Sequence, residues 1–182
     1  MKNDIKHLLV SASVALAALA AGPLLVAAAC AQAPTAAELA AGDPKPQPPG
    51  PTSPLTIVSG DKTHTFQVEV ADTPEKSELG LMYRKEMAKD HGMIFDFGEP
   101  KETTMWMKNT FIPLDMVFFD SEGKVMTVVE GARPHSLRLI DPGMPVKGVI
   151  ELNAGVAKED GIKPGDMIHH KIFKNAPSAH GG

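Results

Sequence analysis

The chain has 182 residues, enough for one domain with appended segments, and a slight acidic excess of 22 Asp and Glu over 18 Lys and Arg. That balance gives no basic footprint for nucleic acid, and the single cysteine excludes both an internal disulfide framework and a cysteine-ligated metal centre. Methionine is common, with ten residues, and we interpret most of these side chains as core packing.

The first 30 residues have the features of an export signal. Two lysines precede residues 8–29, an uncharged run of mainly Ala, Leu and Val with small residues at its end. A permanent membrane helix is the alternative, but Gly22 and Pro23 interrupt the run and alanine is only weakly apolar. We therefore predict a signal peptide over residues 1–30 and an exported domain, located in the periplasm or anchored in the cell envelope.

The cleavage position has two interpretations. Residues 26–30, VAAAC, resemble a lipobox that would make Cys30 the lipidated first residue, although Ala27 replaces the usual leucine. Ordinary cleavage after Ala31 or Ala33 also fits the A-x-A pattern. We expect membrane contact only through a lipid on Cys30, because the mature chain is slightly more acidic than the precursor and unsuited to anionic lipid.

The segment after the signal differs sharply in composition from the rest. Residues 31–54 contain seven prolines and no apolar periodicity, which predicts a disordered linker that is partly polyproline II. A single globular domain is predicted over residues 55–174, and a flexible tail over 175–182.

Alternation of apolar and polar residues predicts about seven short strands in this domain. A helix is predicted to begin at Pro74, with Thr73 as its cap, and to end near a solvated Arg84. The strands are predicted at residues 55–58, 63–70, 92–98, 104–119 with a bend at the proline, 125–130, 146–153 and 167–173.

These elements predict a mainly β fold of the α+β class. We expect a small antiparallel β-barrel-like domain with one or two short helices, in which a helix packs on one opening of the barrel. We also expect a monomer.

Several motifs resemble, in order and spacing, the family called domain of unknown function 192. The resemblance covers residues 56–172 and implies a compact β-rich domain, often exported by bacteria, without an established activity, catalytic residue or cofactor. The motifs are GLMYR at residues 80–84, GMIF at 92–95, MWMKNT at 105–110, IPLDM at 112–116, PVK at 145–147, ELNAG at 151–155 and GIKPGD at 161–166.

The residues favour a binding module over an enzyme. No nucleophile–base set, phosphate loop or histidine pair with metal-ligand spacing is present, so we expect no cofactor. Trp106 would give a flat wall for a small polar or acidic ligand, a peptide or a glycan end. The polar candidates around it are Arg84, Lys108, Asn109, Asp115, Glu151 and Asn153. Alternatively, Lys108–Asp115 and Arg84–Glu151 are ordinary ion pairs beside a half-buried tryptophan.

Two other functions are also compatible with the sequence. Met105 and Met107 lie on one predicted strand face, where thioethers suit Cu(I) in a metal-handling protein of the export compartment. Asp115 and Glu151 would instead serve an envelope hydrolase if their carboxyl groups were close enough to act as a pair.

Overall fold

The computed structural model describes residues 48–173. The predicted signal peptide, the lipidation candidate Cys30, most of the linker and the tail therefore lie outside the described residues. Within residues 48–173, no helix has both the length and the apolar character needed to cross a membrane.

The described residues form one seven-stranded sheet with two short helices. The helices are α1 (Pro74–Leu79) and α2 (Val156–Asp160), and Lys171–Phe173 forms a 3-10 turn. The strands are β1 (Thr52–Ser59), β2 (Lys62–Ala71), β3 (His91–Lys101), β4 (Leu114–Phe119), β5 (Val125–Ala132), β6 (Val146–Asn153) and β7 (Met167–His169).

The sheet has the order β5-β4-β6-β3-β2-β1-β7 and curls toward closure. Lys124, just before β5, bridges Met167 in β7, and the Ile168 amide donates to the Gly123 carbonyl at 2.7 Å. The two edges of the sheet therefore meet, which confirms the barrel-like α+β fold. All neighbouring strands pair antiparallel except β2 and β3, which are parallel.

The two faces of the sheet bury separate apolar clusters, because successive strand residues point to opposite sides. Helix α2 packs on the inner face, where its buried side chains complete the inner cluster. The inner cluster includes Ile57, Val68, Ile94, Ile150, Leu152, Val156 and Ala157. The outer cluster combines strand residues with residues from the covering loops, and includes Leu81, Met93, Phe95, Met107, Ile112, Met116 and Val149.

The helix predicted to reach Arg84 is shorter than expected. It ends at Leu79, because Gly80 (φ 49°) and then Tyr83 (φ 63°) turn the backbone out of the right-handed helical region. Arg84 is buried in the turn that follows, so its predicted solvated position is wrong. The first strand begins at Thr52, which takes three residues of the predicted linker into the sheet.

Residues 104–109 do not form the predicted strand. Met105 makes one isolated bridge to Ile140, and Asn109 (φ 56°) then turns the chain. The alternation of burial nevertheless persists in this loop, with Met107 fully buried and Trp106 exposed. The sequence pattern therefore predicts which side chains of this segment are buried. It does not predict whether the backbone of the segment pairs with a neighbouring strand.

Candidate functional site

Glu151 lies at the centre of the outer face of the sheet. It is a β6 residue, paired in register with Met93 of β3 on one side and Met116 of β4 on the other. Met93 in turn is opposite Glu69 of β2. The Glu151 carboxyl is therefore set between two thioether side chains in a row that crosses four strands.

The environment of Glu151 disfavours a charge. The residue is 4% exposed, and within residues 48–173 no side chain or backbone group makes a hydrogen bond to its carboxyl. Burial raises the pKa of Glu151 to about 8. At neutral pH the carboxyl is consequently protonated in most molecules and has an O–H group available as a donor.

The Glu151 side chain lines a cavity of about 540 Å³ on the outer face. Leu81, Phe95 and Thr110 line the cavity beside it, and Trp106, 45% exposed, borders the same space. The cavity therefore combines an apolar wall with one buried carboxyl, an arrangement typical of small-molecule sites.

Charged groups of the cavity are mainly acidic. Besides Glu151, its lining includes Asp72, Glu78 and Asp96, against one basic residue, Lys101. Asp72 accepts a hydrogen bond from Lys76, and Asp96 accepts one from Lys147 at 2.6 Å. Because Glu151 is mainly protonated at neutral pH and both aspartates are paired with lysines, the lining has little net charge, and the cavity favours an uncharged ligand.

Lys108 lies near the cavity because its side chain contacts Trp106. Its ammonium nitrogen lies 5.3 Å from the Trp106 ring centroid, within the range of a cation–π contact. The two side chains therefore lie beside each other. The ammonium group is on the solvent side of the ring, since Lys108 is exposed and does not line the cavity.

Arg84 forms an ion pair with Glu69 and not with Glu151. Its guanidinium donates two hydrogen bonds to Glu69, one of them 2.9 Å long, and both side chains are largely buried. Burial alone would raise the pKa of Glu69, but hydrogen bonds from Arg84 and the Gly50 amide, together with the Arg84 charge, hold it below its ordinary value. The suggested Arg84–Glu151 pair is therefore wrong, and no ion pair to Glu151 forms within residues 48–173.

Asp115 belongs to the inner side of the sheet. Its carboxylate accepts backbone hydrogen bonds from Gly131 (2.8 Å), Gly155 (2.8 Å) and Ala157 (2.9 Å), the last two at the start of α2. Asp115 is opposite Leu152 in register and so faces away from Glu151. The carboxylate-pair hydrolase and the Lys108–Asp115 ion pair are both contradicted by this arrangement.

Two other predicted polar residues hold loops in place. The Asn109 side chain donates to the Tyr83 hydroxyl at 2.6 Å. The Asn153 side chain donates to the carbonyls of Met87 and Ala88, at 3.2 and 2.9 Å. Neither residue lines the Glu151 cavity. Of the predicted polar set, the structure therefore brings only Glu151 together with Trp106 at the cavity.

The two methionines suggested for copper differ in surroundings. Met107 is fully buried in the outer cluster, whereas Met105 is half-buried and lines the cavity. Residues 48–173 contain no group of three or more His, Cys, Asp or Glu side chains placed to hold a metal ion. A copper site at Met105 and Met107 stays a prediction.

Sequence reasoning did not single out a buried contact between Ser53 and His170. The hydroxyl oxygen lies 2.8 Å from the imidazole Nε2, and the Ile172 amide donates to Nδ1 at 3.4 Å. With Nδ1 as an acceptor, the neutral ring carries its proton on Nε2 and donates it to Ser53. Burial lowers the pKa of His170 to about 4. In this tautomer the ring does not take the Ser53 proton, so the pair tethers the chain after β7 to β1.

Comparison of the sequence with known protein families identifies one family that covers most of the domain. A model of the DUF192 family, described as "Uncharacterized ACR", matches residues 56–170. No curated protein matches the chain.

Two solved structures resemble the chain with a TM-score of 0.65 each. One, from Sinorhizobium meliloti 1021, is described provisionally as a transcription regulator; it is 44% identical, and the match covers 72% of this chain and 99% of that one. The other, a protein of unknown function from Novosphingobium aromaticivorans DSM 12444, is 36% identical, with 76% of this chain and 99% of that one covered.

Proposed function

The chain belongs to the DUF192 family, and we propose that its outer cavity makes it a binding module for a small uncharged ligand rich in hydroxyl groups, such as a glycan end. The observation that carries this proposal is the Glu151 carboxyl, which has no hydrogen-bond partner within residues 48–173 and lines a cavity bordered by Trp106. The apolar leader of residues 8–29 supports a location in the cell envelope.

The Glu151 carboxyl makes no hydrogen bond within residues 48–173, and its oxygens can be reached from the cavity. Burial disfavours the charged form of this carboxyl, and two methionines flank Glu151 where a third apolar residue would pack well. A ligand that accepts the Glu151 proton in a hydrogen bond supplies the missing partner. The position is therefore suited to recognition, and poorly suited to stabilising the fold.

The shape and polarity of the cavity favour a sugar ring. The Trp106 indole offers a flat apolar surface, against which the C–H face of a sugar packs, and hydroxyls of Thr103, Thr104 and Thr110 lie in the lining. A volume of about 540 Å³ is ample for one or two sugar rings. The nearly neutral lining has no excess of cationic groups that would bind an anion, so of the polar or acidic ligands expected from the sequence we favour the uncharged polar ones.

Fluorescence titration can test this proposal, because Trp106 is the sole tryptophan of the chain. We expect a saturable change in Trp106 emission with a disaccharide of N-acetylglucosamine, and none with citrate at equal concentration. Glu151→Gln preserves a hydrogen-bond donor and should bind within about threefold of wild type at pH 7, whereas Glu151→Leu should bind about tenfold more weakly.

The matched control is Glu130→Gln, which neutralises an exposed carboxylate of β5 outside the cavity. It should bind as wild type does. If Glu151→Leu binds the disaccharide as tightly as wild type, or if no neutral saccharide changes the emission, the proposal is wrong.

A further inference from the structure

The exposed apolar side chains of the domain are confined to two loops. The loops are residues 103–113 and 133–144, called the paired loops below. All large apolar side chains that are exposed among residues 48–173 lie on them: Trp106, Phe111, Leu137, Leu139 and Met144. Leu137 and Leu139 are the most exposed, at 66% and 59%.

The two loops are fastened to each other by backbone hydrogen bonds. The amides of Met105 and Ile140 donate to each other's carbonyls at 2.9 and 2.8 Å, and the His135 amide donates to the Thr110 carbonyl at 3.1 Å. The Phe111 and His135 rings also lie 5.1 Å apart. The exposed apolar groups therefore belong to one contiguous surface.

This surface is basic, although the chain is acidic. The paired loops contain Lys108, Arg133 and Arg138, all exposed and none in an ion pair within the described residues. Their one acidic residue, Asp141, accepts a hydrogen bond from the Gly143 amide at 2.7 Å. Exposed apolar groups and unpaired cations thus coincide, while the whole chain has a net charge of −4.

We propose that the paired loops dock on the surface of a bilayer that contains anionic phospholipids. Leucine and tryptophan side chains enter the boundary between headgroups and acyl chains, and lysine and arginine remain at the phosphates. An exposed apolar patch of this kind marks an interaction site on a soluble domain.

The proposal revises the expectation that the mature chain does not bind anionic lipid. That expectation was based on the net charge, which is the sum of all charged groups of the chain. Screening limits each charge to a range of roughly 8–10 Å, so a membrane senses the face that approaches it. The acidic residues Glu78, in α1, and Asp72, just before α1, belong to a different segment of the chain from the three cations.

Nucleic acid fits the surface less well. Phosphates would satisfy the three cations, and a base would stack on Trp106, but neither would cover the aliphatic side chains of Leu137 and Leu139. A bilayer accommodates both groups of side chains together.

Vesicle binding by residues 48–182 can test the proposal. This segment is suitable because the two solved relatives match over 99% of their own lengths while covering 72% and 76% of this chain, so domains of this extent fold without the preceding segment. We expect sedimentation with vesicles of phosphatidylcholine and phosphatidylglycerol at 7:3, and a blue shift of Trp106 emission. Pure phosphatidylcholine should bind far less protein.

Two variants separate the apolar and the charged contributions. Leu137→Ser with Leu139→Ser should abolish the blue shift. Lys108→Gln, Arg133→Gln and Arg138→Gln together should weaken binding to anionic vesicles about a hundredfold, because each cation near such a surface contributes about fivefold.

The matched control is the triple variant Lys62→Gln, Lys124→Gln and Lys158→Gln, which removes three exposed charges elsewhere. It should bind vesicles as wild type does. Equal loss in both triple variants, absence of binding to anionic vesicles, or tighter binding to duplex DNA than to vesicles would overturn the proposal. Glu151→Leu should still bind vesicles, so this test is independent of the proposed cavity ligand.

Discussion

Asp115 and Glu151 lie on neighbouring strands yet on opposite faces of the sheet, because Asp115 is opposite Leu152 whereas Glu151 is opposite Met116. Both side chains are buried. Asp115 is satisfied by three backbone amides, and Glu151 by none among the described residues. One carboxyl group therefore holds the fold together, and the other lines the outer cavity.

Stability should decrease with rising pH because of Glu151. Its folded-state pKa of about 8 lies above the ordinary value of 4.5, so the folded protein retains a proton that the unfolded chain loses between these pH values. The free energy of unfolding of wild type, relative to Glu151→Gln, should fall by about 1 kcal/mol per pH unit from pH 5 to 8. Urea unfolding at several pH values measures this. Parallel pH profiles for the two proteins would show that Glu151 is ionised when folded.

Asp115→Asn should be strongly destabilising. The amide group places an N–H donor against at least one backbone amide that now donates to Asp115, leaving buried donors unpaired at Gly131 or at the start of α2. We expect a loss of about 2–4 kcal/mol in the free energy of unfolding. Glu130→Gln, on the exposed end of β5, should change it by less than about 0.5 kcal/mol. A loss below 1 kcal/mol for Asp115→Asn would contradict the capping role.

The Arg84–Glu69 pair should behave as a unit. Arg84→Met alone leaves the buried Glu69 carboxylate without its cation and should cost about 3–5 kcal/mol. The double variant Arg84→Met, Glu69→Leu removes both charges and should recover most of that loss. Chemical denaturation of the two single variants and the double variant gives the coupling energy. Additive losses would mean that the pair contributes no direct interaction.

Gly148→Ala should disrupt the centre of the sheet. A Cβ at this β6 position would lie 2.0 Å from the Phe95 carbonyl oxygen and 2.4 Å from the Phe119 ring, closer than atoms can approach. We expect a loss of more than 3 kcal/mol, measured by thermal unfolding. Gly98→Ala, which meets no atom within 4 Å but has φ +83°, should cost about 1 kcal/mol, the penalty of its backbone conformation alone.

The local pattern of the sequence determined much of this fold. The turn of the β4–β5 hairpin is stabilised by Asp120, whose carboxylate accepts hydrogen bonds from the amides of Glu122 and Lys124. Gly123 supplies the positive φ of 87° that this turn requires. The alternation that predicts Met105 and Met107 on one face leaves Trp106 on the other, and Trp106 is indeed exposed although its segment is not a strand. These features depend on residues within a few positions of each other.

Features that depend on residues far apart in the chain could not be predicted from the sequence. Alternation in β2 and β3 says nothing about their direction, so the parallel pairing was missed. The amides that Asp115 binds are 16, 40 and 42 residues away. Glu69 and Arg84 are 15 residues apart and meet only because the turn after α1 folds back over the sheet.

The separation of the two apolar clusters has a consequence for how this scaffold can change. Inner residues such as Ile94 and Leu152 share no cluster with the outer residues Met93 and Phe95 that border Glu151. Substitutions in the segments that line the cavity, residues 77–82 and 103–106, therefore do not require repacking of the inner cluster. The residues around the cavity can vary while the inner cluster stays constant, which makes the outer layer the natural place for a designed library.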